Sequence, residues 1–118
     1  MMDIYRKRVI VDEDNIKQLF RYLEEKGFLW VDGLIPTEYF PLFDDYNVRF
    51  VCISTHDDMK ITYHSIDSIE VVSMDDAISY EEDEKNPVGY RGYDVIPYYD
   101  FIETTMPIPE ITLKEVLV

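Results

Sequence analysis

Between residues 16 and 23, apolar side chains recur at Ile16, Leu19, Phe20 and Leu23, while Lys17, Gln18, Arg21, Glu24 and Glu25 take the other positions. The spacing i, i+3, i+4, i+7 predicts an amphipathic helix of about three turns with one face turned inward. Ahead of it, Asp12-Glu13-Asp14 supplies carboxylates that can accept hydrogen bonds from the orphan N–H groups of a first turn and that suit the positive end of the helix dipole. Lys26-Gly27 marks the stop, a cation at the negative end followed by a residue that tolerates positive φ. Upstream, Tyr5 to Val11 mixes basic and β-branched residues and reads as a short strand or extended lead-in.

After the helix, Phe28-Leu29-Trp30-Val31 reads as a strand broken by an Asp32-Gly33 turn. Leu34 to Asn47 contains Pro36, Pro41 and Asp44-Asp45 and shows no period, so it reads as an irregular crossing held to the core by Tyr39, Phe40, Phe43 and Tyr46. Val48 to Ser54 is almost continuously apolar, as a central strand covered on both faces would be. Beyond His56-Asp57-Asp58, Met59, Ile61 and Tyr63 alternate with Lys60, Thr62 and His64, which predicts a second strand closing a hairpin. Ile69 to Met74 is a candidate third strand of that meander. The acids at 75, 76 and 81–84 put six carboxylates in ten residues without a base, a stretch expected to be exposed. Gly89, Gly92, Pro97, Pro107 and Pro109 punctuate residues 85–110, read as loop and edge strand anchored by Val95-Ile96 and Phe101-Ile102. Ile111 to Val118 fits either a helix, through capping-box spacing of Thr112 and Glu115, or a closing strand, through its alternation.

The expected fold is α+β, a single domain over 1–118. One N-terminal amphipathic helix packs on a mainly antiparallel twisted sheet of three to five strands, and an acidic, Tyr-rich half begins at about residue 75. Composition sharpens the picture. Of 118 residues, 47% are apolar and 14% aromatic, enough for one core, and the formal charge is −14. Up to Cys52 there are seven basic and ten acidic residues; beyond it, four and fifteen. Such a charge opposes direct binding to nucleic acid or to an anionic membrane and favours basic partners. One cysteine excludes a disulfide framework and a Cys-rich zinc site. No apolar run reaches the roughly 20 residues of a membrane span, and the first residues lack the apolar core of a signal peptide. The expected location is cytoplasmic.

Chemistry-bearing residues are few. His56-Asp57-Asp58 could ligate a metal, but consecutive residues point in different directions, and the reading is a polar hairpin loop. His64 lies on the polar side of its strand, and Cys52 sits in an apolar run where a thiol behaves as a small hydrophobe. No nucleophile elbow or phosphate-binding glycine loop is present. The expectation is a non-enzyme without cofactor or metal. The acidic run is accompanied by Tyr80, Tyr90, Tyr93, Tyr98 and Tyr99, half of the ten tyrosines within twenty residues. Rigid aromatic area with polar tips suits an interface, and carboxylates beside flat rings can imitate phosphates and bases. Fourteen excess charges correspond to about 24 Å of duplex at one charge per ~1.7 Å, comparable to the span of such a domain. The partner-binding residues expected are Asp75, Asp76, Tyr80, Glu81, Glu82, Asp83, Glu84, Tyr90 and Tyr93.

Two short stretches resemble a known group. Ile111-Thr112-Leu113-Lys114 is similar to an Ile-Thr-Leu-Lys type of C-terminus, and Gly27-Phe28-Leu29-Trp30-Val31-Asp32-Gly33 after a short helix to a pattern common in small phage proteins. With the acidic half, these resemble small acidic bacteriophage anti-defence proteins, especially anti-CRISPR inhibitors of type II CRISPR nucleases. The resemblance implies a stoichiometric inhibitor in the host cytoplasm that occupies a basic nucleic-acid groove, such as the one reading the PAM duplex; it carries over no catalytic residue. Alternative readings are a scaffold homodimer, a phosphorylated-ligand sequestering protein using Arg6, Lys7, Arg8, Arg49 and Arg91, and a metal-dependent hydrolase using His56, Asp57, Asp58 and His64.

Overall fold

A strand with apolar residues at nearly every position is stable only when both of its faces are covered, and Val48 to Thr55 meets that condition. The computed structural model describes residues 4–41, 43, 48–83 and 92–105. In chain order its elements are β1 (Lys7–Val11), α1 (Ile16–Glu25), β2 (Leu29–Trp30), a 3₁₀ turn (Pro36–Glu38), β3 (Val48–Thr55), β4 (Lys60–Asp67), α2 (Met74–Asp83), β5 (Asp94–Pro97) and α3 (Tyr98–Thr105). The strands form one sheet in the order β2-β4-β3-β1-β5, with β3 at its centre.

α1 and α3 cover one face, where Val9, Val11, Val51, Ile53, Ile61 and Ile96 meet Leu19, Phe20, Leu23 and Phe101. The Tyr22 and Thr105 hydroxyls bond each other at 2.8 Å between the two helices. α2 covers the opposite face over Ile10, Phe50, Cys52 and Ile66. Burying each large apolar side chain contributes about 1.5–3 kcal/mol relative to leaving it exposed, so both faces matter to stability.

The expected helix, its stop and the hairpin are present. Asp12 organises the turn before α1 through its carboxylate, which accepts from the N–H groups of Asp14 and Asn15. At the other end, the N–H groups of Gly27 and Phe28 donate to the carbonyls of Glu24 and Leu23, the reciprocal pattern of a helix end closed by a left-handed glycine. β3 and β4 pair antiparallel from Val48↔Asp67 to Thr55↔Ile61, with an irregularity between Val48 and Phe50. Their turn is built as read: the Asp58 carboxylate accepts from the Lys60 N–H at 3.1 Å, while Met59 takes positive φ (66°).

Four expectations change. The sheet is mixed, since β1 pairs antiparallel with β3 but parallel with β5, and β2 pairs parallel with β4. The single N-terminal helix becomes three helices among the described residues, the first preceded by a strand. Ile69 to Met74 is not a strand: Ile69 and Val72 are exposed, Ser73 stands just before α2, and Met74 is the first residue of that helix. The Ser73 hydroxyl accepts from the Asp76 N–H while the Asp76 carboxylate accepts from the Val72 N–H, and that cap converts a β-branched run into a helix start. In the segment read as loop and edge strand, β5 is an edge strand, but Tyr98–Thr105 is a helix whose Tyr98, Phe101, Ile102 and Thr105 face inward. The alternatives for Ile111 to Val118 lie outside the described residues.

Gly27 sits at φ 93°, and a Cβ added there would meet the Met59 Cε at 3.3 Å. Gly27→Ala is expected to lower stability by about 1 kcal/mol, read as a reduced urea midpoint at unchanged slope.

Candidate functional site

Alternation in a strand puts every second residue on one face. The register Arg8↔Ser54, Ile10↔Cys52 and Cys52↔His64 therefore gathers Arg8, Cys52, Ser54 and His64 on the face beneath α2. α2 turns Ala77 and Glu81, one helical turn apart, down onto them. Arg8 and Glu81 are each 1% exposed. The Arg8 guanidinium donates to one Glu81 carboxylate oxygen, and the His64 Nε2 lies 2.6 Å from the other. A buried carboxylate is tolerable only with such partners, and this one holds α2 to β1 and β4.

Cys52 lies beside the pair. Burial, and then the Glu81 charge, push its thiol up to about 12, against smaller opposing effects of Arg8 and Ser54. It stays protonated at neutral pH and is no nucleophile. The Cys52 sulfur, a His64 nitrogen and a Glu81 oxygen lie within 4.8 Å of one another, close enough to contact a divalent ion. The Glu81 charge, however, is already committed to a guanidinium that a dication would have to adjoin. The cluster is best understood as a buried ion pair with a histidine at its outer side.

His56 forms a second polar link: its Nδ1 lies 2.6 Å from the Tyr93 hydroxyl and its Nε2 2.8 Å from that of Thr62. Burial lowers its pKa below 6.5, opposed by Asp58 and Asp57. With Asp58 committed to the turn, the residues His56, Asp57, Asp58 and His64 do not converge as a ligand set. The cations considered for phosphate also have carboxylate partners: Arg6 with Asp57 at 3.2 Å, Lys7 with Asp94 at 2.7 Å, and Arg8 with Glu81. Arg49 is exposed, and Arg91 lies outside the described residues.

Of the expected partner-binding residues, Asp75, Glu82 and Asp83 are exposed on α2. Asp76 and Tyr80 are half-buried, and Tyr93 is half-buried against His56. Glu81 corrects the expectation of a uniformly exposed run: it points into the core because Arg8 is there. Glu84 and Tyr90 lie outside the described residues.

A second feature, not foreseen from the sequence, is an aromatic corner at the sheet edge. The Trp30 ring stands nearly perpendicular to Tyr39 and Tyr63, with centroids 5.6 and 5.8 Å away. The two tyrosine hydroxyls bond at 2.9 Å, which raises the Tyr63 pKa above its ordinary value. The rings come from a strand end, the extended residue that follows the 3₁₀ turn, and a second strand; the alternation through Tyr63 was the available signal. No helix among the described residues is long and apolar enough to cross a membrane. Compared with protein-family models, curated proteins and solved structures, the chain shows no match.

Glu81→Ala is expected to cost about 3–5 kcal/mol by stranding Arg8 in the core, with Arg8→Met/Glu81→Leu regaining most of the loss, as measured in denaturant. The His56 imidazole is expected to titrate below 6.5 by NMR. Since the unfolded ring takes up a proton first, this residue's contribution to stability falls as pH drops through 6.5 toward the folded value.

Proposed function

We propose that the chain is a non-enzymatic interaction protein that lays the outer face of α2 in a Lys/Arg-lined nucleic-acid groove of another protein and acts there as an inhibitor. The observation that carries the reading is the one-sidedness of α2. Its ten residues hold five carboxylates and no base. Glu81 is neutralised inside by Arg8, whereas Asp75, Asp76, Glu82 and Asp83 fall within roughly a third of the helix circumference at 100° per residue. The inward grip of Glu81 fixes which way the other four project. Opposite charge in a basic groove would steer encounter, and the chain's charge of −14 adds to the field. The resemblance to anti-CRISPR proteins makes the duplex-reading groove of a type II CRISPR nuclease the first target.

The test is cleavage of a PAM-bearing duplex by such a nuclease with increasing amounts of the protein. Stoichiometric inhibition that weakens with salt and with excess duplex supports the reading. Asp75→Asn/Glu82→Gln/Asp83→Asn is expected to weaken inhibition at least about tenfold. Full cleavage at large molar excess overturns the nuclease assignment, and inhibition indifferent to salt and to the triple variant overturns the groove mechanism.

A further inference from the structure

The aromatic corner offers a second site on the opposite sheet face from the residues beneath α2, since Tyr63 is one step along β4 from His64. β2 pairs only at Leu29↔Lys60 and Trp30↔Ile61, after which the chain leaves the sheet through the Asp32-Gly33 turn. Where that pairing stops, Trp30, Val31, Asp32, Tyr39, Thr62 and Tyr63 line a cleft of about 320 Å³.

Size, walls and charge select its occupant. The volume lies at the small end of the roughly 300–1,000 Å³ typical of ligand sites and suits one long side chain. The ring centroids, 5.6, 5.8 and 5.9 Å apart, leave no room for a cation between the rings. Tyr39 and Tyr63 are nevertheless 42% and 38% exposed, so their outward faces are open to a flat group. A planar cation is attracted to such faces, and a guanidinium stacks there better than an ammonium. Among the described residues of the lining, Asp32 is the one that carries a charge. Its Oδ1 accepts from the Leu34 N–H at 3.2 Å, and its Oδ2 has no hydrogen bond among the described residues.

We infer that this cleft binds an arginine side chain of a partner protein, the guanidinium paired with Asp32 and lying over the Tyr39–Tyr63 face. The charge of the chain favours a cationic partner, and the geometry favours arginine over lysine. This inference does not depend on α2.

Trp30 is the chain's only tryptophan and forms one wall, so its fluorescence reports occupancy. The protein is titrated with acetyl-glycyl-arginyl-glycine amide, with the lysine peptide, and with the citrulline peptide, which keeps the shape without the charge. A saturable change with the arginine peptide is expected, with about tenfold weaker binding of the citrulline peptide and about tenfold weaker binding by Asp32→Asn. Asp32 is exposed, and an unchanged circular dichroism spectrum confirms the fold of that variant. The α2 triple variant is expected to titrate like the native protein. Absence of a saturable response, equal binding of all three peptides, or an Asp32→Asn variant that titrates like the native protein overturns the site. Equal weakening in the α2 triple variant assigns the response to diffuse charge attraction and overturns it too.

Discussion

One buried charge governs the arrangement on the α2 side. Arg8 lies in the middle of the sheet, on a strand buried at all five positions, and a guanidinium there is tolerable only with a carboxylate alongside. Glu81, 73 residues away, supplies it. That requirement sets the rotation of α2 about its axis, places Ala77 against the sheet, and leaves the remaining acids of the helix outside. A fully apolar interface could have been as stable, but would not have fixed the helix's rotation so strictly. The pair matters here as an orienting contact more than as a source of stability.

The same pair changes the chemical meaning of its neighbours. A cysteine, a histidine and a glutamate in close proximity suggest a catalytic or metal-binding group when seen alone. With Arg8 included, the carboxylate is already neutralised and the histidine caps the pair at the solvent side, where it is 39% exposed; burial, against the pull of Arg8, keeps the thiol protonated. The features that suit contact with other molecules lie elsewhere, on the outer side of α2 and at the aromatic corner beside β2. Both carry carboxylates, the feature on which the proposal of a cationic partner rests in each case.

What could be read in the chain follows from the range of the interactions responsible. α1 was legible because its period and its closing glycine are encoded within twelve residues, and the β3–β4 hairpin because alternation and a turn signal are contiguous. α2 was not, because a run of acids reads as solvated whatever its conformation, and only the distant Arg8 explains why Glu81 turns inward. Ile69 to Val72 has strand-like side chains, and the short Ser73–Asp76 cap outweighs them. α3 is eight residues long and follows directly on Pro97, so its inward stripe is too brief to stand out from the punctuation around it. The parallel pairings of β1 with β5 and β2 with β4 leave no local trace, and the aromatic corner joins three elements that the sequence keeps apart. Of the candidate interface, its acidity was legible and its facing was not.

The position of Arg8 also orders events during synthesis. β1 leaves the ribosome before its hydrogen-bonding neighbours, which are centred near Ser54 on one side and Val95 on the other. Until Glu81 has been made, the strand carries a cation that no compact intermediate can enclose without penalty. At roughly 5–20 residues per second, the nascent chain therefore spends several seconds with its first strand barred from a finished interior. Premature collapse is discouraged by the same charge that later locks the helix in place.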